Sequence, residues 1–465
     1  MKATVLIDDD RAIRNSPGHT LRLVAALVFA PVLAGSASGQ PANPNPPHAQ
    51  VAGTNAPAPT LTLSQAKEIS FEKNWDLLAA RSGIDAASAQ LIVAKEFPNP
   101  TASISTAYIG AYEAGTTMGN GIWERSYDTI FAVNQLIEIA GKRHDRQAAA
   151  RAGIFGAKAR FYDAKRTLDQ GVTKAFVAAL LAEENVRILN ESSQLLRHEA
   201  DIAESRFKAG DISDSDKKQI EINAEQYELQ AKSAEAAAVQ ARIAVEILMG
   251  IPQPKGHYAL AGSLEELVEA PLPAAPQLGP DAVRPDVLAA EADLKSAKAN
   301  LRLQKAIRVP DPTFLVQYEH EPPNTGPPAD TTGIGVSFPL PLWNLNGGNI
   351  KAAEASVDQM MMAAGKVRTQ MEADISNAES EFNEAHARWL SYRNQTAPKS
   401  TKVRESVAFS YEKGGASLVD LLDAERTDND IRLATVQAMS DTASAIADLA
   451  AARTVLTQTE LEARK

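Results

Sequence analysis

Between Ile154 and Leu196 the apolar residues fall at helical spacing. Ile154, Phe161, Leu168, Val172, Phe176, Leu180, Leu189 and Leu196 are separated by three, four or seven positions, or by sums of these. A helix returns a side chain to the same face every 3.6 residues, so this is the seam of one long helix. No proline interrupts residues 141–207. The pattern therefore predicts a helix of about 65 residues, about 100 Å long at a rise of 1.5 Å per residue. Gly210 is placed to end it, because glycine takes the left-handed conformation of a helix C-terminus without steric cost, and Ser213 is placed to cap the helix that returns. Ser64, before Gln65-Ala-Lys-Glu68, reads as the N-cap of a short first helix.

Elsewhere the period is two. Thr332, Ile334, Val336 and Phe338 alternate with Gly333, Gly335 and Ser337, and Phe314, Val316 and Tyr318 alternate with Gln317, Glu319 and Glu321. One face is apolar and the other small or polar, the signature of strands with two different environments. Strands are expected over residues 101–112, 126–139, 313–321 and 332–340. Pro98-Asn-Pro-Thr101 and Pro310-Asp-Pro-Thr313 precede two of them and stop the helices before them, since proline lacks the N–H and its ring clashes with the preceding turn.

These paired signatures show that the chain is written twice. Asp76-Leu-Leu-Ala-Ala is echoed by Asp286-Val-Leu-Ala-Ala, and each Pro-x-Pro-Thr follows at a similar interval. Phe207, Gly210, Ser213 and Asp216 match Tyr411, Gly414, Ser417 and Asp420, all at the offset of 204 that separates 207 from 411. Each copy reads helix, two strands, very long helix, turn, helix. In the second copy Gly414 and Gly415 make the turn and Ser417 caps. The expected division is residues 61–250 for the first copy, 251–285 for a Pro/Gly-rich connection, 286–459 for the second copy and 460–465 for a short tail.

The N-terminal residues change the picture from a helical bundle to an exported one. Arg11, Arg14 and Arg22 precede an apolar run from Leu23 to Ala34, and small residues follow. That order describes a secretory signal, expected over residues 1–39 with cleavage between Ala37 and Gln40. Asp8, Asp9, Asp10 and Pro31 are atypical for one. Residues 40–60, rich in Pro and Ala, read as an extended linker. No later window of 18 apolar residues is evident, so no further membrane-spanning helix is expected.

Composition then narrows the chemistry. The chain has 465 residues, 44% hydrophobic, a net charge of −11 and no cysteine. Its acidity argues against nucleic acid, which requires a basic face. Without cysteine there is no disulfide, thiolate site or lipid-modified N-terminal Cys. No His stands three residues after a Glu, as a di-iron bundle requires, and there is no His-Glu-x-x-His, Gly-rich phosphate loop or catalytic triad. Met360, Met361 and Met362 are consecutive and cannot all face one ligand, so they read as packing residues. No catalytic residue, resident metal or cofactor is expected.

Strands of 9 to 13 residues match what a tilted membrane strand needs. Four cannot close a barrel, since the smallest membrane barrels have about eight, and an open edge in lipid leaves backbone groups unsatisfied. If they enter a membrane, several chains must share a barrel, and three chains would supply about twelve strands.

From Leu61 to Thr459 the chain resembles the TolC superfamily of trimeric outer-membrane efflux channels, in particular the CzcC-like outer-membrane components of heavy-metal efflux systems. The residues that carry the resemblance are Leu61-Thr-Leu-Ser-Gln-Ala66, Pro98-Asn-Pro-Thr101, Gln135-Leu-Ile-Glu-Ile-Ala-Gly-Lys-Arg143 and Gly335-Val-Ser-Phe-Pro-Leu-Pro-Leu-Trp-Asn-Leu-Asn-Gly-Gly-Asn349, in this order within a duplicated frame. The resemblance implies a mainly α protein with membrane β, a homotrimer in which four strands per protomer share a roughly 12-stranded barrel above a long periplasmic α-helical barrel. It implies residence in outer-membrane lipid and partnership with a periplasmic adaptor protein and an inner-membrane RND-type transporter. The helix turns at Gly210 with Ser213, and at Gly414 and Gly415 with Ser417, would dock the adaptor. Tyr411 stands where the family has its gating tyrosine, Asp216 where it has the hydrogen-bonding partner, and Asp420 and Asp423 where acidic rings line the constriction. The family's gating arginine position is Ala416 here.

Asp420 and Asp423 are three apart and share one helix face. In a trimer they would make two rings, whose crowding raises the apparent pKa of the set. A solvated helix face is the plain alternative for them, and a packed helix-end aromatic for Tyr411. For the whole chain, the alternative is a periplasmic or surface coiled-coil scaffold or adaptor without a channel.

Overall fold

Thr62 opens the first helix of the computed structural model, which describes residues 60–107, 128–272, 282–321 and 329–463. The Thr62 hydroxyl accepts from Gln65 N–H at 3.2 Å, and the Gln65 side chain accepts from Thr62 N–H at 3.0 Å. This reciprocal box sets the cap two residues before the expected Ser64. The first copy runs β1 (Thr60–Thr62), α1 (Leu63–Lys73), α2 (Trp75–Lys95), β2 (Thr101–Ala107), β3 (Asp128–Leu136), α3 (Lys142–Ala209) and α4 (Asp214–Leu248). A connection carries β4 (Ala259–Ala261), α5 (Leu264–Glu269) and β5 (Ala282–Val283). The second copy runs α6 (Pro285–Ala306), β6 (Thr313–Glu321), β7 (Ala329–Ser337), α7 (Gly347–Ser391), a π-helical segment (Tyr392–Thr396), α8 (Ala397–Glu412) and α9 (Leu418–Ala452), followed by β8 (Leu456–Thr457) and α10 (Gln458–Ala463).

The long helix of the first copy, α3, has 68 residues. Its counterpart in the second copy is one path from Gly347 to Glu412, passing through the π segment just before Pro398. A proline inside a helix removes one backbone donor, and a π-turn is one of the few ways a helix absorbs such a defect without stopping. The seam residues are at least partly covered, and Val172, Phe176, Leu180, Leu189 and Leu196 are buried. The main core lies midway along α3, where Phe176, Val177 and Ile188 pack with Ala66 of α1, Val245 of α4, Leu264 of α5, Trp389 of α7 and Val436 of α9.

Four of the strands form one antiparallel sheet in the order β2-β3-β6-β7, so the hairpin of each copy meets the other through β3 and β6. β6 lies over residues 313–321 as the alternation predicts. β7 covers Ala329–Ser337 instead of 332–340, because Pro339 and Pro341 have no N–H to give a ladder while residues 329–331 pair with 319–321. β3 ends at Leu136 instead of 139, since Ile139 N–H turns to the Asp311 side chain at 2.9 Å. The expected strand residues 108–112 and 126–127, the signal and most of the linker lie outside the described residues.

Two further differences concern exposure. α2 is long and apolar enough to cross a membrane by length and composition, although no such helix was expected after the N-terminal run. In the structure it lies along α3 with most of its surface uncovered. At the other end of the chain, Leu461 is wholly buried against Ala159 and Leu288. The segment expected as a short C-terminal tail contributes Leu461 to a core, and β8 pairs with β5 beside it.

Candidate functional site: the open sheet and the paired helix turns

The sheet has two unlike faces. Cross-strand register aligns Ile104, Phe131, Tyr318 and Thr332 in one row, Ala102, Val133, Val316 and Ile334 in another, and Gln135, Phe314 and Val336 in a third. The rows between them hold Ser103, Ala132, Gln317 and Gly333, then Thr101, Asn134, Leu315 and Gly335, and the row beyond Ile104 holds Ser105, Ile130, Glu319 and Thr331. Side chains alternate across a strand, so the first set shares one face and the second set the other. Phe131 and Tyr318 lie 6.4 Å apart by ring centroids. The apolar face is uncovered, and Ile334 is 90% exposed. Water would strongly disfavour such a face and a hydrocarbon surrounding would not. Among the described residues, the outer edges of β2 and β7 have no strand partner.

Glycines 333 and 335 keep the polar face low at the edge. A side chain on Gly333 would come within 3.1 Å of Gln317 Cγ. The long side chains on that face come from β6 instead.

At the far ends of the long helices the two turns repeat one another. Gly210 (φ 84°) closes α3 and Gly414 (φ 78°) closes α8, both in the left-handed region that glycine occupies freely. Ser213 and Asp216 then form a capping box on α4, and Ser417 and Asp420 form the same box on α9. The Ser417 hydroxyl and N–H donate to Asp420 Oδ2 at 2.7 and 3.0 Å. Those donors hold the Asp420 carboxyl below the usual carboxylate range. Within the single protomer this direction is opposite to the rise expected from crowding in a ring. Gly415 donates its N–H to Ser410 O at 2.7 Å and does not take a left-handed φ.

The structure separates the four expected gate residues into different tasks. Asp216 makes its hydrogen bonds with Ser213. Tyr411 is only 7% exposed, and its hydroxyl has no hydrogen-bond partner. The Arg206 guanidinium sits 5.1 Å from the Tyr411 ring centroid. Burial pushes the Tyr411 hydroxyl pKa up, against the pull of Arg206. Asp420 and Asp423 are both exposed. Asp423, with Asp216, lines a groove between α4 and α9 whose floor includes Leu196 of α3.

Beside this groove lies an ionic cluster that no periodicity signals. Arg404 of α8 meets Asp428 at 3.2 Å and Glu425 at 3.4 Å, both on α9. Ser400 donates to Asp428 at 2.7 Å. Burial pushes the Glu425 carboxyl up, with Arg404 opposing it, and burial also raises that of Glu199 on α3.

The chain is 25% identical over 369 residues to the cobalt-zinc-cadmium resistance protein CzcC of Cupriavidus metallidurans, covering 79% of this chain and 84% of that one. The fold superposes on CusC with a TM-score of 0.67 at 16% identity, covering 90% of this chain and 98% of that one. It superposes on the outer membrane protein VceC of Vibrio cholerae with a TM-score of 0.66 at 17% identity, covering 84% and 95%. The outer membrane efflux protein family matches residues 68–251 and again 282–453, once per copy of the internal duplication. A sheet made for lipid on one face and water on the other, set on helices about 100 Å long, is what such a family requires: the chain belongs to the outer membrane efflux proteins and is an efflux channel of the outer membrane, with its helical portion in the periplasm.

Proposed function

We propose that this chain is one third of a passive conduit in a tripartite pump that expels heavy-metal cations. The observation that carries the reading is the four-stranded sheet with an apolar face and two edges that are unpaired among the described residues. In lipid each edge needs a partner, and three copies supply about twelve strands, enough for a water-filled barrel. The long helices of three copies would continue the barrel as a tunnel. The turns at Gly210 and Gly414 would meet a periplasmic adaptor, and an inner-membrane RND-type transporter would supply the energy. The chain itself performs no catalysis in this reading. Metal cations as cargo are supported by the likeness to a protein named for cobalt, zinc and cadmium resistance. Asp420 and Asp423 would ring the narrowest point, with Tyr411 and Asp216 beside it.

The test is the mass of the detergent-purified protein by light scattering, which should be that of a trimer. A stable monomer that keeps its strand content, or an assembly larger than three, would overturn the trimer. Deletion of the gene should lower resistance to divalent metals more than to organic toxicants, and the reverse would overturn the cargo.

A further inference from the structure

We infer that the junction between sheet and helices is a binding collar for anionic phospholipid headgroups of the periplasm-facing leaflet. The inference rests on membrane insertion of the sheet. Within about two helical turns of the strands, the ends of α2, α3, α6 and α7 and their loops hold eight Lys or Arg residues and five carboxylates, in a chain of net charge −11.

The pairing there is uneven. Four carboxylates are taken: Glu138 by Arg146 at 2.6 Å, Asp145 by Arg302 at 3.0 Å, Asp311 by Lys142 at 2.7 Å and Glu354 by Lys305 at 3.3 Å. Lys95, Arg143, Arg308 and Lys351 have no carboxylate within ion-pair distance among the described residues, and Glu96 is the one carboxylate left over. Arg143 instead lies 3.7 Å over the ring of Phe97, which is 65% exposed.

The chain between β7 and α7, whose Asn346 side chain donates to Gln304 O near the end of α6 at 2.8 Å, exposes Phe338, Leu340, Leu342 and Trp343, with Trp343 94% exposed. Phe338 continues the alternation of Thr332, Ile334 and Val336 along the apolar face. Apolar and indole groups next to unpaired Lys and Arg match a bilayer interface, where aromatic rings sit at headgroup depth and basic residues meet phosphates. Continuity with the lipid-facing sheet and the charge excess favour an anionic leaflet over a second copy of the chain.

The test is quenching of Trp343 by brominated lipid after reconstitution, read as the difference between the wild type and Trp343→Phe. Brominated phosphatidylglycerol should quench this difference signal more than brominated phosphatidylcholine at equal mole fraction. A local enrichment of about fivefold is expected, the effect of one basic residue near an anionic surface. Arg143→Gln with Arg308→Gln and Lys351→Gln should remove the preference while quenching by phosphatidylcholine persists. Arg143→Lys with Arg308→Lys should retain it. Co-flotation with vesicles reports insertion separately, and Arg308→Gln alone, at an exposed and unpaired position, should reduce the preference if the triple variant fails to insert. If the inserted protein shows no Trp343 quenching by either lipid, the collar is covered by another copy and the inference is wrong. Equal quenching by both lipids in the wild type would equally overturn it.

Discussion

The ammonium of Lys142 lies 2.7 Å from the Asp311 carboxylate, joining the first residue of α3 in one copy to the Pro-Asp-Pro segment that leads into β6 in the other. Lys142 Nζ also donates to Val309 O at 2.6 Å, and Asp311 accepts from Ile139 N–H. The two copies are thus locked together at the point where helices become strands.

Removing either partner should leave a mostly buried charge alone. Lys142→Met is expected to cost about 3 kcal/mol, as does breaking other buried pairs, whereas Lys142→Met with Asp311→Leu should cost much less because no charge is stranded. A double-mutant cycle of denaturant unfolding measures the difference. Additive costs would show that the pair is not coupled.

Gly250 ends the first copy with φ 70°, and a Cβ there would lie 2.2 Å from Lys73 O. Neither the backbone conformation nor the space permits a side chain. Gly250→Ala should destabilise by at least about 2 kcal/mol, and the Asn74 side-chain bond to Leu248 O at 3.0 Å should be disrupted with it. Thermal unfolding checks the first expectation, and amide exchange at the start of α2 checks the second.

Glu199 has its carboxyl pKa raised by burial, with His198 opposing and Glu412 adding to the rise. A folded pKa above the unfolded value means that folding favours the protonated acid. The contribution is fully present below the unfolded pKa and is lost as pH rises through the folded one. Glu199→Gln should therefore raise the melting temperature near neutral pH, and the gain should shrink as pH falls through the raised pKa. A gain that is constant with pH would show that ionisation of Glu199 is not the cause.

Asp420→Asn with Asp423→Asn should shift the reversal potential of reconstituted channels toward anions, because carboxylates around a narrow aqueous axis favour cations. Asp420→Asn alone should also weaken the α9 cap, since the Ser417 donors lose their charged acceptor. The cap contribution is present above the unfolded carboxylate pKa and is lost as pH falls through the lowered folded value. Wild-type selectivity for anions, or an unchanged double variant, would make the two aspartates an ordinary solvated face.

The sequence by itself determined the elements that depend on neighbours along the chain. Helical spacing from Ile154 to Leu196 specified α3, glycine specified the turns at 210 and 414, and alternation from Phe314 to Tyr318 specified β6 with its faces. Those are local consequences of backbone freedom and of which face meets water. The internal duplication was equally legible, because two copies that fold alike keep their caps and prolines in the same places. Tertiary structure alone decided what depends on residues distant in the chain. The Lys142 bond to Asp311, the cluster of Arg404 with Glu425 and Asp428, and the burial of Leu461 have no periodic signature. The Asp216 and Asp420 carboxylates are held locally by the capping serines, because an N–H three residues away is already in reach, while a partner across the bundle must be brought there by packing.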